Sequence, residues 1–209
     1  MAAKVITVAQ QKGGAGKTTL VAHLAVALAQ TGKSVAVVDI DPQGSLSRWA
    51  QVRQESGAND PELTVSQIQG WRTTGEVEKL SRAHDIVLVD SPPHMETESR
   101  IAVRTADLVV VPIQPSPMDV WASEATVTMA DSEGTSCLLV LNRVPPRGKL
   151  VDELRPEVKK LGAKLARTSL GNRIALASSM MKGRGVTEGP KSRAAEEITA
   201  LAREVSRLA

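Results

Sequence analysis

Five short runs of β-branched and aliphatic residues recur along this chain, each closing on a polar residue or just before one. They cover residues 4–9 (KVITVA), 35–39 (VAVVD), 85–90 (DIVLVD), 107–113 (DLVVVPI) and 136–142 (SCLLVLN). Continuous apolar runs of this length mark strands buried on both faces, which occur in parallel sheets covered by helices. Between the runs lie stretches at helical spacing. Residues 17–31 set Leu20, Leu24, Ala27 and Leu28 on one stripe, and residues 117–130, 149–161 and 191–208 read as further helices. Repeated strand-helix-strand order predicts an α/β fold, a doubly wound and mostly parallel sheet with helices on both faces. At 209 residues, one domain spanning 1–209 is expected. Trp49, Trp71 and Trp121 are the only aromatic residues, so the core must be aliphatic. Residues 54–64 and 143–149 read as surface loops.

Ligands bind such sheets at the carboxyl ends of the strands, and the polar signals of this chain gather there. After the first run comes Gln11-Lys12-Gly13-Gly14-Ala15-Gly16-Lys17-Thr18-Thr19, followed directly by a helix. Glycines let backbone N–H groups turn inward around phosphate oxygens, and the helix adds its positive N-terminal end. In such a loop Lys17 reaches the terminal phosphates of a nucleotide and the Thr18 hydroxyl binds Mg²⁺. Gln11 stands where this loop usually has its first glycine. Lys12 is a second lysine, which a glycine turn serving only as a connector would not need. Asp90 closes one apolar run, where it can hold a metal-bound water. Asp39 and Asp41 flank Ile40 at the end of another, and in an extended chain their side chains share a face.

The segments KGGAGKTT, VDIDPQG (38–44) and VLVDSPP (87–93) resemble the ParA/MinD family of deviant Walker-A ATPases, closest to the ParA branch, along essentially the whole chain. The resemblance implies ATP and Mg²⁺ as cofactors, with Asp39 supporting the magnesium shell, Asp90 as the Walker-B carboxylate and Asp41 positioning the attacking water. It makes Lys12 the signature lysine that crosses a nucleotide-sandwich homodimer to the partner's phosphates. Asn142 matches an asparagine that reads the adenine edge, although a strand-ending Asn is also a common turn residue. The segment 114–119 (QPSPMD) matches a loop near the dimer interface and equally reads as a helix start with Pro117 in its first turn.

A single cysteine, Cys137, excludes an intramolecular disulfide, a cysteine-cluster metal site and the bridging-cluster relatives that share this loop. The absence of tyrosine excludes the tyrosine-kinase relatives, and Cys137 itself reads as a small buried hydrophobe. His23, His84 and His94 lack metal-ligand spacing and read as solvated or locally bonded. No run reaches membrane-span length, nor does the start resemble a signal peptide, so a cytoplasmic protein is expected. Residues 198–209 are small and charge-balanced, unlike a lipid-entering helix, which makes a membrane partner unexpected.

The formal charge of +3 hides a division. Residues 1–142 carry 11 Lys/Arg against 16 Asp/Glu, whereas residues 143–209 carry 15 against 7. The basic third reads as a polyanion-binding face or as solvated helices. The ParA resemblance implies non-specific DNA binding, nucleoid association in the ATP state and a stimulating cargo adaptor of ParB-like role. It suggests Arg173, Lys182 and Arg184 as phosphate contacts. No DNA-reading helix pair precedes the first strand. Two other classes share the loop: metabolic ligases of the dethiobiotin or cobyrinate synthetase type, and membrane-surface positioning ATPases like MinD.

Overall fold

The computed structural model describes residues 3–93, 96–147 and 149–209. His94 therefore lies outside the described residues. The strands are β1 (Lys4–Val8), β2 (Val35–Asp39), β3 (Thr64–Gln67), β4 (Ile86–Asp90), β5 (Leu108–Ile113), β6 (Ser136–Leu141) and β7 (Lys164–Leu165). All pair in parallel, in the order β3-β2-β4-β1-β5-β6-β7. The chain leaves β1 for one side of the sheet, returns through β4 and crosses to the other side at β5. The switch point is thus at the carboxyl end of β1, where a ligand is expected.

Alternation along each strand splits the core. Ile6, Val8, Val37, Leu88, Val110 and Val140 face the helices α1 (Lys17–Ala29) and α8 (Arg193–Leu208). Val38, Val89, Val111 and Leu139 face the opposite layer, which includes α3 (Thr73–Ser81), α4 (Glu96–Thr105), α5 (Pro117–Ser132) and α6 (Leu150–Lys160). The five expected strands are all present. The two unforeseen ones sit at the edges, where half of the pairing is missing: β3 is the polar, part-exposed TVSQ, and β7 has two residues. Four helices, α2 (Ser45–Glu55), α3, α4 and α7 (Ile174–Met180), also escaped the apolar-stripe reading. α2 buries only Leu46, Trp49 and Arg53, and α7 buries no residue.

Two expectations need correction. The stripe read for residues 17–31 implied a helix with one wet face, yet α1 is buried from Leu20 to Ala29 on every side. It packs between the sheet, α2, α7 and α8, and its small residues let those neighbours close in. His23 is neither solvated nor locally bonded. It is buried in α1, with Nε2 3.2 Å from the Leu176 carbonyl and Nδ1 accepting from Val186 N–H at 3.1 Å. The neutral Nε2–H tautomer satisfies both. His84 does bond locally, to the Leu80 carbonyl, and also reaches the Thr64 hydroxyl. Cys137 is half-buried, and burial pushes its thiol up to about 12, so it holds no thiolate at neutral pH.

Burial lowers the His23 pKa from 6.5 to about 4. Below pH 6.5 the unfolded chain takes up a proton that the folded chain refuses, so stability is full above that pH and is lost on acidification toward 4. Nucleotide-free protein should lose about 2 kcal/mol from this group between pH 7.5 and 5. His23→Gln, which can donate and accept without titrating, should lose less over that interval in urea unfolding. Equal losses would show that His23 does not titrate in this way.

Candidate nucleotide site

Strand register brings the site together. Val8 of β1 pairs with Asp90 of β4, and Asp90 pairs with Asp39 of β2, so three strands end at one level. The glycine loop leaves β1 there and enters α1 through Gly16 at φ 91°, a conformation costly for any residue with a Cβ. No side chain caps α1, so its first N–H groups stay available to an anion.

Lys17 is buried, and its Nζ donates to the Gln10 carbonyl at 3.0 Å. Burial lowers its pKa, while the carboxylates of Asp90 and Asp41 pull it back up. Asp90 is buried, and neither of its oxygens has a hydrogen-bond partner. Burial raises its pKa to about 7, and Asp39 and Asp41 add to the rise. Thr18 and Lys17 lie close enough to oppose it. An orphaned carboxylate beside a threonine hydroxyl and a desolvated lysine suits a divalent cation, which would be held by Asp90 and Thr18 and would supply the missing charge. Among the described residues there is no cluster of three His, Cys, Asp or Glu that could hold a metal alone. A cation here would share its ligands with the nucleotide, as Mg²⁺ does.

The other candidates are placed less simply. Both oxygens of Asp39 are already occupied. Oδ2 accepts from the Ser47 N–H and hydroxyl at 2.8 Å each, and Oδ1 accepts from Asp41 N–H at 3.1 Å. Asp39 thus ties the first turn of α2 to the end of β2. Asp41 is partly exposed past the strand end and accepts from Gln43 N–H. Asn142 is buried. Its Nδ2 donates to the Ala15 carbonyl at 2.8 Å and its Oδ1 accepts from Arg143 N–H, so its amide braces the loop. Gln114 braces the same loop from another side, donating to the Gly14 carbonyl.

Lys12 stands apart from Lys17. Its Nζ lies 2.7 Å from Oδ2 of Asp119, a buried residue in the first turn of α5. Ser116 caps that helix with Pro117 at its start, so the helix-start reading of QPSPMD holds, and the Ser116 hydroxyl donates to the same carboxylate. Gln10, buried against Ser123, accepts from Lys12 N–H through its side chain. Gln10 and Ser123 were missed because a lone polar residue at a strand end or within a helix carries no motif, whereas Asp119 lies in the QPSPMD segment without having been named as a partner of Lys12.

The basic residues divide. Lys182 and Arg184 are exposed. Arg173 is held by Glu197 at 2.6 Å, and Glu197 also accepts from Gly171 N–H. Its guanidinium is thus paired within the fold while its side chain stays partly exposed.

The Asp90 environment gives a test. In the nucleotide-free protein its ionisation is disfavoured, so stability falls as pH rises from about 4 through about 7. Asp90→Asn should therefore stabilise the nucleotide-free chain at pH 8 by up to about 4 kcal/mol and add little at pH 4. A pH-independent effect in thermal unfolding would contradict the buried-carboxylate reading.

The sequence matches the CobQ/CobB/MinD/ParA nucleotide binding domain over residues 6–186. It is 33% identical to the maintenance of carboxysome distribution protein A of Halothiobacillus neapolitanus, over 96% of this chain and 95% of that one. The fold superposes on the cell division ATPase MinD of Pyrococcus furiosus with a TM-score of 0.83 at 20% identity, covering 99% of both chains. A Cyanothece McdA–ATP complex aligns with a TM-score of 0.82 at 16% identity, covering 98% of this chain and 97% of the other. With its phosphate loop, strand-end carboxylates and seven-stranded parallel sheet, the chain belongs to the CobQ/CobB/MinD/ParA family of nucleotide-binding domains.

Proposed function

We propose that this ParA/MinD-family ATPase binds ATP with Mg²⁺ at the end of β1, dimerises on it and positions a large cargo along DNA. The observation that carries the reading is Lys12, a second lysine at the mouth of a loop that already has Lys17 for its own phosphates. Part-exposed and tethered to Asp119, it is available to cross to a partner subunit's nucleotide. The loop N–H groups and Lys17 hold the phosphates, Thr18 and Asp90 hold the Mg²⁺, which offsets phosphate charge, and Asp41 orients the attacking water. Placement and charge are what phosphoryl transfer demands.

Lys182 and Arg184 supply a basic surface, which a dimer doubles. Phosphate neutralisation accounts for most non-specific DNA binding. The apolar stripe of α8, from Ala194 through Ile198, Leu201 and Val205, is buried in the core, which speaks against that helix entering lipid. No helix among the described residues is long and apolar enough to cross a membrane. The relative named for carboxysome distribution aligns nearly end to end, which favours a protein assembly as cargo. A stimulating adaptor of ParB-like role would couple that cargo to hydrolysis.

Lys12→Ala should bind ATP within about threefold of the parent yet remain monomeric with a slowly hydrolysed analogue in sedimentation. A stable mutant dimer with parental turnover would refute the trans contact.

For the DNA surface, the slope of log affinity against log salt changes by roughly 0.9 per phosphate neutralised. Lys182→Ala/Arg184→Ala should flatten it by roughly 2 to 4 in the ATP-bound dimer, where each subunit loses two charges. An unchanged slope and affinity would move DNA contact elsewhere or remove it from the function.

A further inference from the structure

The loop that carries Lys182 and Arg184 is seated against both helices that begin at the nucleotide site. On one side lies the end of α2. Arg53 is buried there, donating from Nη1 to the Gly183 carbonyl at 3.1 Å and from Nη2 to the Pro61 carbonyl at 2.8 Å. The same guanidinium grips the Glu188 carboxylate at both oxygens, at 2.9 and 3.0 Å, and stacks over Trp49. Ser56 donates to the Lys182 carbonyl. Gly183 lies so close that a Cβ would come within 2.2 Å of Arg53 N, and its φ is +64°. On the other side lies α1, where a Cβ on Gly185 would meet Val26 at 2.6 Å and Val186 N–H donates to His23. Glu188 closes the turn by accepting from Gly185 N–H.

Both helices are anchored at their other ends to the candidate nucleotide site. α1 starts at Lys17, and the first turn of α2 is fixed by Ser47 on Asp39, two residues before Asp41. We infer that Arg53 is a positioning residue: it locks the basic loop 182–188 onto α2 so that the presentation of Lys182 and Arg184 to a polyanion follows the nucleotide held between α1 and α2. This rests on the proposed nucleotide and DNA reading and adds the route between them. A bidentate Arg–carboxylate pair fixes orientation as well as distance. A buried pair of this kind adds little net stability over apolar residues, and its best-attested benefit is specificity of arrangement.

The test compares the parent with Arg53→Met and with Arg53→Met/Glu188→Met, whose apolar replacement leaves no buried charge unpaired. Amide hydrogen exchange of residues 182–188 is followed with and without Mg²⁺ and a slowly hydrolysed ATP analogue, and nucleotide affinity is measured alongside by calorimetry. In the parent, nucleotide should change exchange in this loop by at least about threefold. In the double variant, affinity should be retained while the loop no longer responds, and the ratio of DNA affinities with and without ATP should fall toward one. A parent that binds nucleotide with no change in 182–188, or a double variant with the full response, overturns the inference and leaves the proposed function standing. A parent that binds no nucleotide overturns both.

Discussion

α1 has no solvent face, and the rest of the molecule is arranged around that fact. A helix built, apart from His23, of Ala, Val and Leu from residue 20 onward is soluble only when sheet and helices enclose it. The sheet takes one side, and α2, α7 and α8 take the others. Enclosure fixes its axis, and the axis fixes where its uncapped N-terminus points: at the ends of β1, β4 and β2. The glycine loop has only to join β1 to that helix. An anion-binding site at the switch point follows from packing before any catalytic residue is considered.

The site is electrostatically strained without its ligand. Asp90 is buried with both oxygens unpartnered, and Lys17 is desolvated against a backbone carbonyl. Each group is costly alone, and each is suited to a Mg²⁺–phosphate unit that supplies the opposite charge. Asp39, with both oxygens satisfied by α2 and Asp41, shows none of this strain. It joins the nucleotide end of the sheet to the helix whose far end grips the basic loop.

Much of this was legible in the residues. The five central strands announced themselves because burial on both faces demands unbroken apolar runs, and the loop did so because phosphate binding demands glycines and a lysine at fixed spacing. The edge strands β3 and β7 lack that demand and resemble loops. α2 was hidden because it buries an arginine and a tryptophan where a stripe of leucines would be sought. The tethers were invisible for another reason. Lys12 meets Asp119, Arg53 meets Glu188 and Arg173 meets Glu197 across long stretches of chain, and no local pattern encodes such a partner. Asn142 belongs with them, since its amide meets the Ala15 carbonyl of the glycine loop from the far end of β6.

The central claim is that the β1–α1 junction binds ATP with Mg²⁺ through the charge of Lys17. Isothermal titration of ATP into the parent and into Lys17→Ala, each with and without Mg²⁺, addresses it most directly. The account predicts one site per chain in the parent, tightened by Mg²⁺, and no measurable binding in Lys17→Ala. Equal affinity in the two proteins would contradict it.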